Sequence, residues 1–184
     1  MASSLQRVWI MLRDFNLLAT TWRRNEQNAC SELRYLLGEI GDSSPTVDKT
    51  GIAGLIAAKT AFNPFDAIEK LRKILLERPY EFRYTLRIIP IEKVVYTDLG
   101  EIQQAAIELG SKIDEGETFR VTVEKRFTET PTQGIIEAAA SNIERKVNLN
   151  NPDKILLIEV VGKLTGVSVI KPEEILAVMK EKML

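Results

Sequence analysis

The stretch NLNNPDKILLIEVVG, residues 148–162, places Pro152 and Asp153 directly before an apolar run. Proline presets φ for position i+1 of a tight turn, and aspartate suits position i+2. The run that follows, Lys154 to Val161, reads as a buried strand. A short turn, GKLTG (162–166), leads to another strand over 165–170. The tripeptide Asn151-Pro152-Asp153 is therefore structural: it builds the turn that delivers a sheet strand.

Upstream of that turn, TFRVTVEKRF (118–127) alternates as a strand does. Helical spacing predicts a helix over 132–146, with Ile136, Ala139, Ala140, Ile143 and Val147 inward, and another over 98–113. Downstream, PEEILAVMKEK (172–182) is expected as a last helix, with Glu173 and Glu174 in its first turn. The first half is regular too. A strand over 15–22 precedes a helix over 25–40, and two short strands flank Thr50-Gly51, the second running from Gly54 to Lys59. A helix over 63–79 follows, with Asn63 as cap and Pro64 at its first position. The last element of this half is a long strand over 82–97, interrupted at Pro90. That order, β-α-β-β-α-β, is the ferredoxin-like plan. The fold class is α+β. The expected division is an N-terminal extension (1–14) holding a short helix over 3–13, a ferredoxin-like domain (15–97) and a second domain (98–184) that includes the C-terminal helix.

Composition narrows the possible functions. The chain has 184 residues, 45% of them hydrophobic, enough for a real core. Its formal net charge is -1, so any affinity for anions must come from local clustering. One cysteine, Cys30, precludes an internal disulfide and fits a reducing cytoplasm. No apolar run reaches the roughly 18 residues of a membrane span, and Arg7 and Arg13 interrupt the start where a signal peptide would need an apolar core. No histidine is present, which removes the commonest general base, the usual triads and most zinc sites. GIAGLIAAKT (51–60) lacks the glycine before lysine that a phosphate loop needs, and no GxGxxG occurs. Neither a catalytic set nor a cofactor or metal is expected.

The basic residues are more informative. From Lys70 to Lys93 there are seven Lys or Arg against three acidic residues, and from Asp98 to Glu117 six acidic residues against one Lys. Arg83, Thr85 and Arg87 alternate with apolar neighbours, which on a strand sets two guanidinium groups on one side. Lys125-Arg126 follows a strand, and Arg145-Lys146 ends the expected helix over 132–146. Together these clusters point to phosphate contacts.

FRVTVEKR, then GIIEAAASNIERKV, then NLNNPDKILLIEVVGKLTGVSVI, resembles the THUMP domain found in thiouridine synthases, RNA methylases and pseudouridine synthases. The matching pieces are a strand ending in Lys125-Arg126, a helix over 134–146, Asn151-Pro152-Asp153, and strands over 155–160 and 165–170. A ferredoxin-like domain usually precedes a THUMP domain, as the first half suggests. With PFDAIEKL…RPYEFRYTLRIIPIEKVV (64–95), the chain looks like the tRNA-acetylation adaptors, which help an acetyltransferase make N4-acetylcytidine. No stretch after Ile170 could hold a catalytic domain. The resemblance thus implies a tRNA-binding adaptor in tRNA modification rather than an enzyme, with tRNA and an RNA cytidine acetyltransferase as partners. It makes Lys125 and Arg126 the first candidates for RNA contact, followed by Arg83 and Arg87, then Arg145, Lys146 and Lys154. Asp153 would repel phosphate. Two other readings stay open: a protein-interaction module without RNA binding, and a small enzyme using carboxylate or lysine chemistry.

Overall fold

Asn63 starts a helix by the expected chemistry: its side chain accepts the N–H groups of Phe65 at 2.9 Å and Asp66 at 3.4 Å, and Pro64 occupies the first turn. This helix belongs to the first of two compact units in a computed structural model that describes residues 12–183. Most of the helix expected over 3–13 lies outside the described residues. The first unit runs β1 (Leu17–Thr21), α1 (Glu26–Glu39), β2 (Thr46–Lys49), β3 (Leu55–Lys59), α2 (Pro64–Glu77) and β4 (Thr85–Pro90). Its strands pair antiparallel in the order β4-β1-β3-β2, the ferredoxin-like arrangement. Leu33, Leu36 and Leu37 of α1 and Ile68, Leu71 and Leu75 of α2 close over Leu17, Ala19, Ile56 and Ile88 of the sheet. Each such burial is worth about 1.5–3 kcal/mol, so packing holds these helices more firmly than propensity does.

The strand expected over 82–97 is two strands in two different sheets. Beyond Pro90, the Ile91 N–H donates to the Asn16 carbonyl at 2.9 Å, while the next N–H, of Glu92, donates to Val167 at 3.2 Å. Residues 92–172 form the second unit: β5 (Lys93–Tyr96), α3 (Leu99–Gly110), β6 (Thr118–Glu124), α4 (Thr132–Ala140), β7 (Lys146–Val147), β8 (Lys154–Val161) and β9 (Leu164–Ile170). Their order is β5-β9-β8-β6-β7, with β6 parallel to both β7 and β8. Ile102, Ala105 and Ala106 of α3 and Ile135 and Ala139 of α4 cover Phe119, Leu156, Ile158 and Val160.

Two expected helices are corrected. The helix over 132–146 stops at Ala140, because Lys146 and Val147 pair with Thr118 and Phe119 as an edge strand. Val147 is consequently exposed rather than inward. The segment over 172–182 is a 3-10 turn (Pro172–Glu174), a strand β10 (Leu176–Ala177) and a short helix α5 (Val178–Lys182). This segment, expected with the second domain, packs in the first unit. β10 pairs with the otherwise open edge of β4, Leu176 and Val178 enter the core, and Arg72 donates to Glu181 and to the Glu173 carbonyl, both at 2.6 Å. Unpaired edge groups and two apolar side chains outweigh helix propensity here.

A buried carboxylate joins the end of α1 to the end of β3. Asp42, 5% exposed, accepts the Thr60 hydroxyl at 2.6 Å, the Ala61 N–H at 3.0 Å and the Ser44 N–H at 3.2 Å. Burial pushes its pKa up, but the Thr60, Ala61 and Ser44 donors outweigh burial and hold it below the ordinary carboxylate value. A lowered folded pKa contributes stability that is present above the unfolded value and is lost as pH falls through the folded one. Asp42→Ala should therefore cost about 1–3 kcal/mol in urea denaturation at pH 7, and the gap to wild type should narrow in acid. Equal midpoints at pH 7 would show that the three donors are satisfied without the carboxylate.

Candidate nucleic-acid interface

The basic pair at the end of β6 divides into two roles. Lys125 is exposed, and its ammonium donates to the Thr130 carbonyl at 2.9 Å, bracing the loop that follows. Arg126 turns inward. Its guanidinium donates to Glu159 at 2.7 Å, its carbonyl accepts the Gly162 N–H at 2.8 Å, and its side chain is 19% exposed. Glu159 is 1% exposed, so Arg126 neutralises a carboxylate inside the sheet. Of the two first candidates for RNA contact, only Lys125 is thus exposed. Phe127, next in the chain, has φ +54° and a ring that is 79% exposed.

Other candidates are also engaged with the protein. Arg145 donates to the carbonyls of Ile113 at 3.1 Å and Asp114 at 3.2 Å. Lys154, its side chain 12% exposed, donates at 2.9 Å to both the Lys112 carbonyl and Glu117. The Asp114 N–H, assisted by Lys154, holds the Glu117 carboxyl below its ordinary pKa. Lys146 is exposed on the edge strand β7, beside Thr118. Lys125 lies at the far end of β6, so strand rise separates the two backbones by about 20 Å. The charge segregation seen along the sequence is largely cancelled in space. Arg72 pairs with Glu69 and Glu181, Arg78 with Glu39 and Glu81, and Lys93 with Glu108.

Arg83 and Arg87 remain exposed on the first unit. They do not form a simple row with Thr85, which is 1% exposed. The register between β1 and β4 shifts here, pairing Thr20 with Arg87 but Thr21 with Thr85. Arg83 sits before β4, at a hollow of about 490 Å³ lined also by Tyr35 of α1, Tyr80 and Glu81 of the 3-10 turn Pro79–Glu81, and Tyr84. Sequence reasoning missed these tyrosines. The signal was RPYEFRYT (78–85), where two tyrosines flank an arginine just after a helix-ending proline.

Nucleophilic chemistry finds little support in the placement of the titratable groups. Cys30 is 2% exposed, and burial pushes its thiol up to about 11. Among the described residues no three His, Cys, Asp or Glu side chains converge as a metal site requires. No described helix is long and apolar enough to cross a membrane.

Comparison with known proteins fits this architecture. Residues 96–170 match the THUMP domain. An uncharacterized protein of Methanocaldococcus jannaschii, MJ0421, is 32% identical over 101 residues, which cover 52% of this chain and 28% of that protein. The crystal structure of PH1313 from Pyrococcus horikoshii superposes with a TM-score of 0.63 at 18% identity, covering 86% of this chain and 55% of that one. A 4-thiouridine synthetase solved with RNA and bound ATP gives a TM-score of 0.56 at 18% identity, covering 85% of this chain and 41% of that one. These two likenesses are of fold. The chain spans about a quarter of the curated relative's length and about half of each solved chain's.

The split between Lys125 and Arg126 is testable by stability alone. Arg126→Ala removes the guanidinium that neutralises the buried Glu159 carboxylate and should destabilise by about 3 kcal/mol or more. Lys125→Ala, at an exposed site, should change stability by less than about 1 kcal/mol. Urea midpoints of the two single variants measure the difference. Similar midpoints would show that the Arg126–Glu159 pair is dispensable.

Proposed function

We propose that this chain, with a THUMP domain at residues 96–170, is a tRNA-binding adaptor that presents tRNA to a separate modification enzyme in the cytoplasm. The THUMP match is the observation that carries the reading. The same fold in a synthetase solved with RNA supports it. The partner is an RNA cytidine acetyltransferase, as the resemblance to the N4-acetylcytidine adaptors implies. Binding would rest on the cations that the fold leaves accessible: Lys125 and Lys146 on the THUMP unit, Arg83 and Arg87 on the ferredoxin-like unit. Each would contact phosphate and release counterions. The adaptor's catalytic contribution would be positioning: a tRNA held in register brings one base to the partner's active site and removes part of the entropic barrier.

Purified protein should retard tRNA in a gel, with affinity falling linearly in log–log form as salt rises. Lys125→Ala should weaken binding and reduce the salt slope by about 1. Binding that ignores salt, or that treats tRNA and an unrelated duplex alike, would sink specific recognition. The adaptor role has its own test. With the acetyltransferase of the same cell, tRNA acetylation should need both proteins, and acetylation that proceeds equally well without this chain would refute it.

A further inference from the structure

The hollow beside Arg83 is built from groups suited to one unpaired nucleotide. Tyr80 is 65% exposed and Tyr35 48% exposed, so two aromatic rings stand open to solvent. Tyr84 packs its ring partly against the core and forms a wall. The two carboxylates of the lining are already engaged. Glu32 accepts the backbone N–H groups of Arg83 at 2.5 Å and Thr85 at 2.7 Å, and that of Tyr84 as well. Glu81 accepts Arg78 at 3.0 Å and the Tyr35 hydroxyl at 3.3 Å. These bonds fix the 82–85 segment, orient Tyr35 and disperse the negative charge. Among the described residues the Arg83 guanidinium has no hydrogen-bond or ion-pair partner, and it is the one cation of the lining.

We infer that this hollow, on the ferredoxin-like unit, binds an unpaired RNA base by stacking on Tyr80 and Tyr35, with Arg83 on the adjoining phosphate. Aromatic faces can stack a base only when it is out of a duplex, so the ligand is a single-stranded segment rather than a helix. Its volume of about 490 Å³ lies within the roughly 300–1,000 Å³ of small-ligand sites, enough for one nucleotide. The inference rests on the RNA-binding reading above and names the nucleic-acid class for this part of the surface.

The test uses the full chain, a short single-stranded RNA oligonucleotide, a blunt RNA duplex and tRNA. Tyr80→Ala should weaken binding of the oligonucleotide about ten-fold, since each base stack contributes at that level, and should leave duplex affinity unchanged. Tyr80→Phe, which keeps the ring, should bind as wild type does. Backbone NMR signals of Tyr35, Tyr80, Arg83 and Tyr84 should move on titration with the oligonucleotide. Wild-type affinity in Tyr80→Ala, or signals that move with a proline-rich peptide and stay still with RNA, would overturn the inference while tRNA binding stands. If the wild type retards no tRNA at all, the RNA-binding reading falls, and this assignment with it.

Discussion

In the THUMP unit, the contact on which the sheet depends is a clamp between Asp153 and Thr118. The Asp153 carboxylate accepts the Thr118 N–H at 2.7 Å and its hydroxyl at 3.0 Å, and the Asp153 N–H donates back to the Thr118 carbonyl at 3.1 Å. The Thr118 backbone bond, then its hydroxyl, hold the Asp153 carboxyl below its ordinary value. Hydrophobic pattern alone cannot set the β6–β8 register, because β8 is buried on both faces, from Ile155 to Val161. A slip by one residue would exchange Ile155, Leu157 and Val161 for Leu156, Ile158 and Val160, so among the side chains from Ile155 to Val161 only Glu159 resists it. The clamp settles Phe119 opposite Lys154 at one end, and the register then carries Glu124 opposite Glu159 at the other. There Arg126 meets Glu159 and Gly162. A parallel pair thus has polar locks at both ends of an apolar run.

The same economy governs the cations. Removing a guanidinium that neutralises a buried carboxylate costs several kcal/mol, while an exposed ion pair is worth about 1 kcal/mol or less. Arg126 belongs to the first kind, and Lys154 and Arg145 serve as hydrogen-bond donors that hold chain segments to one another. Counting basic residues in a window therefore overstates the surface that phosphate can reach.

Much of the fold was legible in the sequence. Asn63-Pro64 announced a capped helix, because local chemistry decides it, whereas Asp153, read as position i+2 of a tight turn, instead clamps Thr118 of the neighbouring strand. What failed was decided by pairing over long distance. Pro90 was seen as an interruption, but a switch of sheets at Ile91 and Glu92 depends on acceptors at Asn16 and Val167, far away in sequence. ILAVMKE (175–181) has helical spacing, yet the open edge of β4 captures Leu176 and Ala177 as a strand. Among the candidate cations, residue type singled out Lys125, Arg83, Arg87 and Lys146, which the fold leaves exposed. It could not distinguish them from Arg126, whose role is set by a carboxylate 33 residues later.

Net charge is a poor guide to what this surface can bind, and Glu32 shows why. A carboxylate beside an arginine weakens its pull on an anion, yet Glu32 faces three backbone N–H groups in consecutive residues. Their dipoles offset its charge over a few ångströms, in the manner of a nest turned around a side chain. The field reaching a ligand in the hollow is then set more by the unpaired Arg83 guanidinium than by the formal sum of the lining. A chain with a formal charge of -1 can in this way present local positive potential, provided its carboxylates are hydrogen-bonded where its cations are left unpaired.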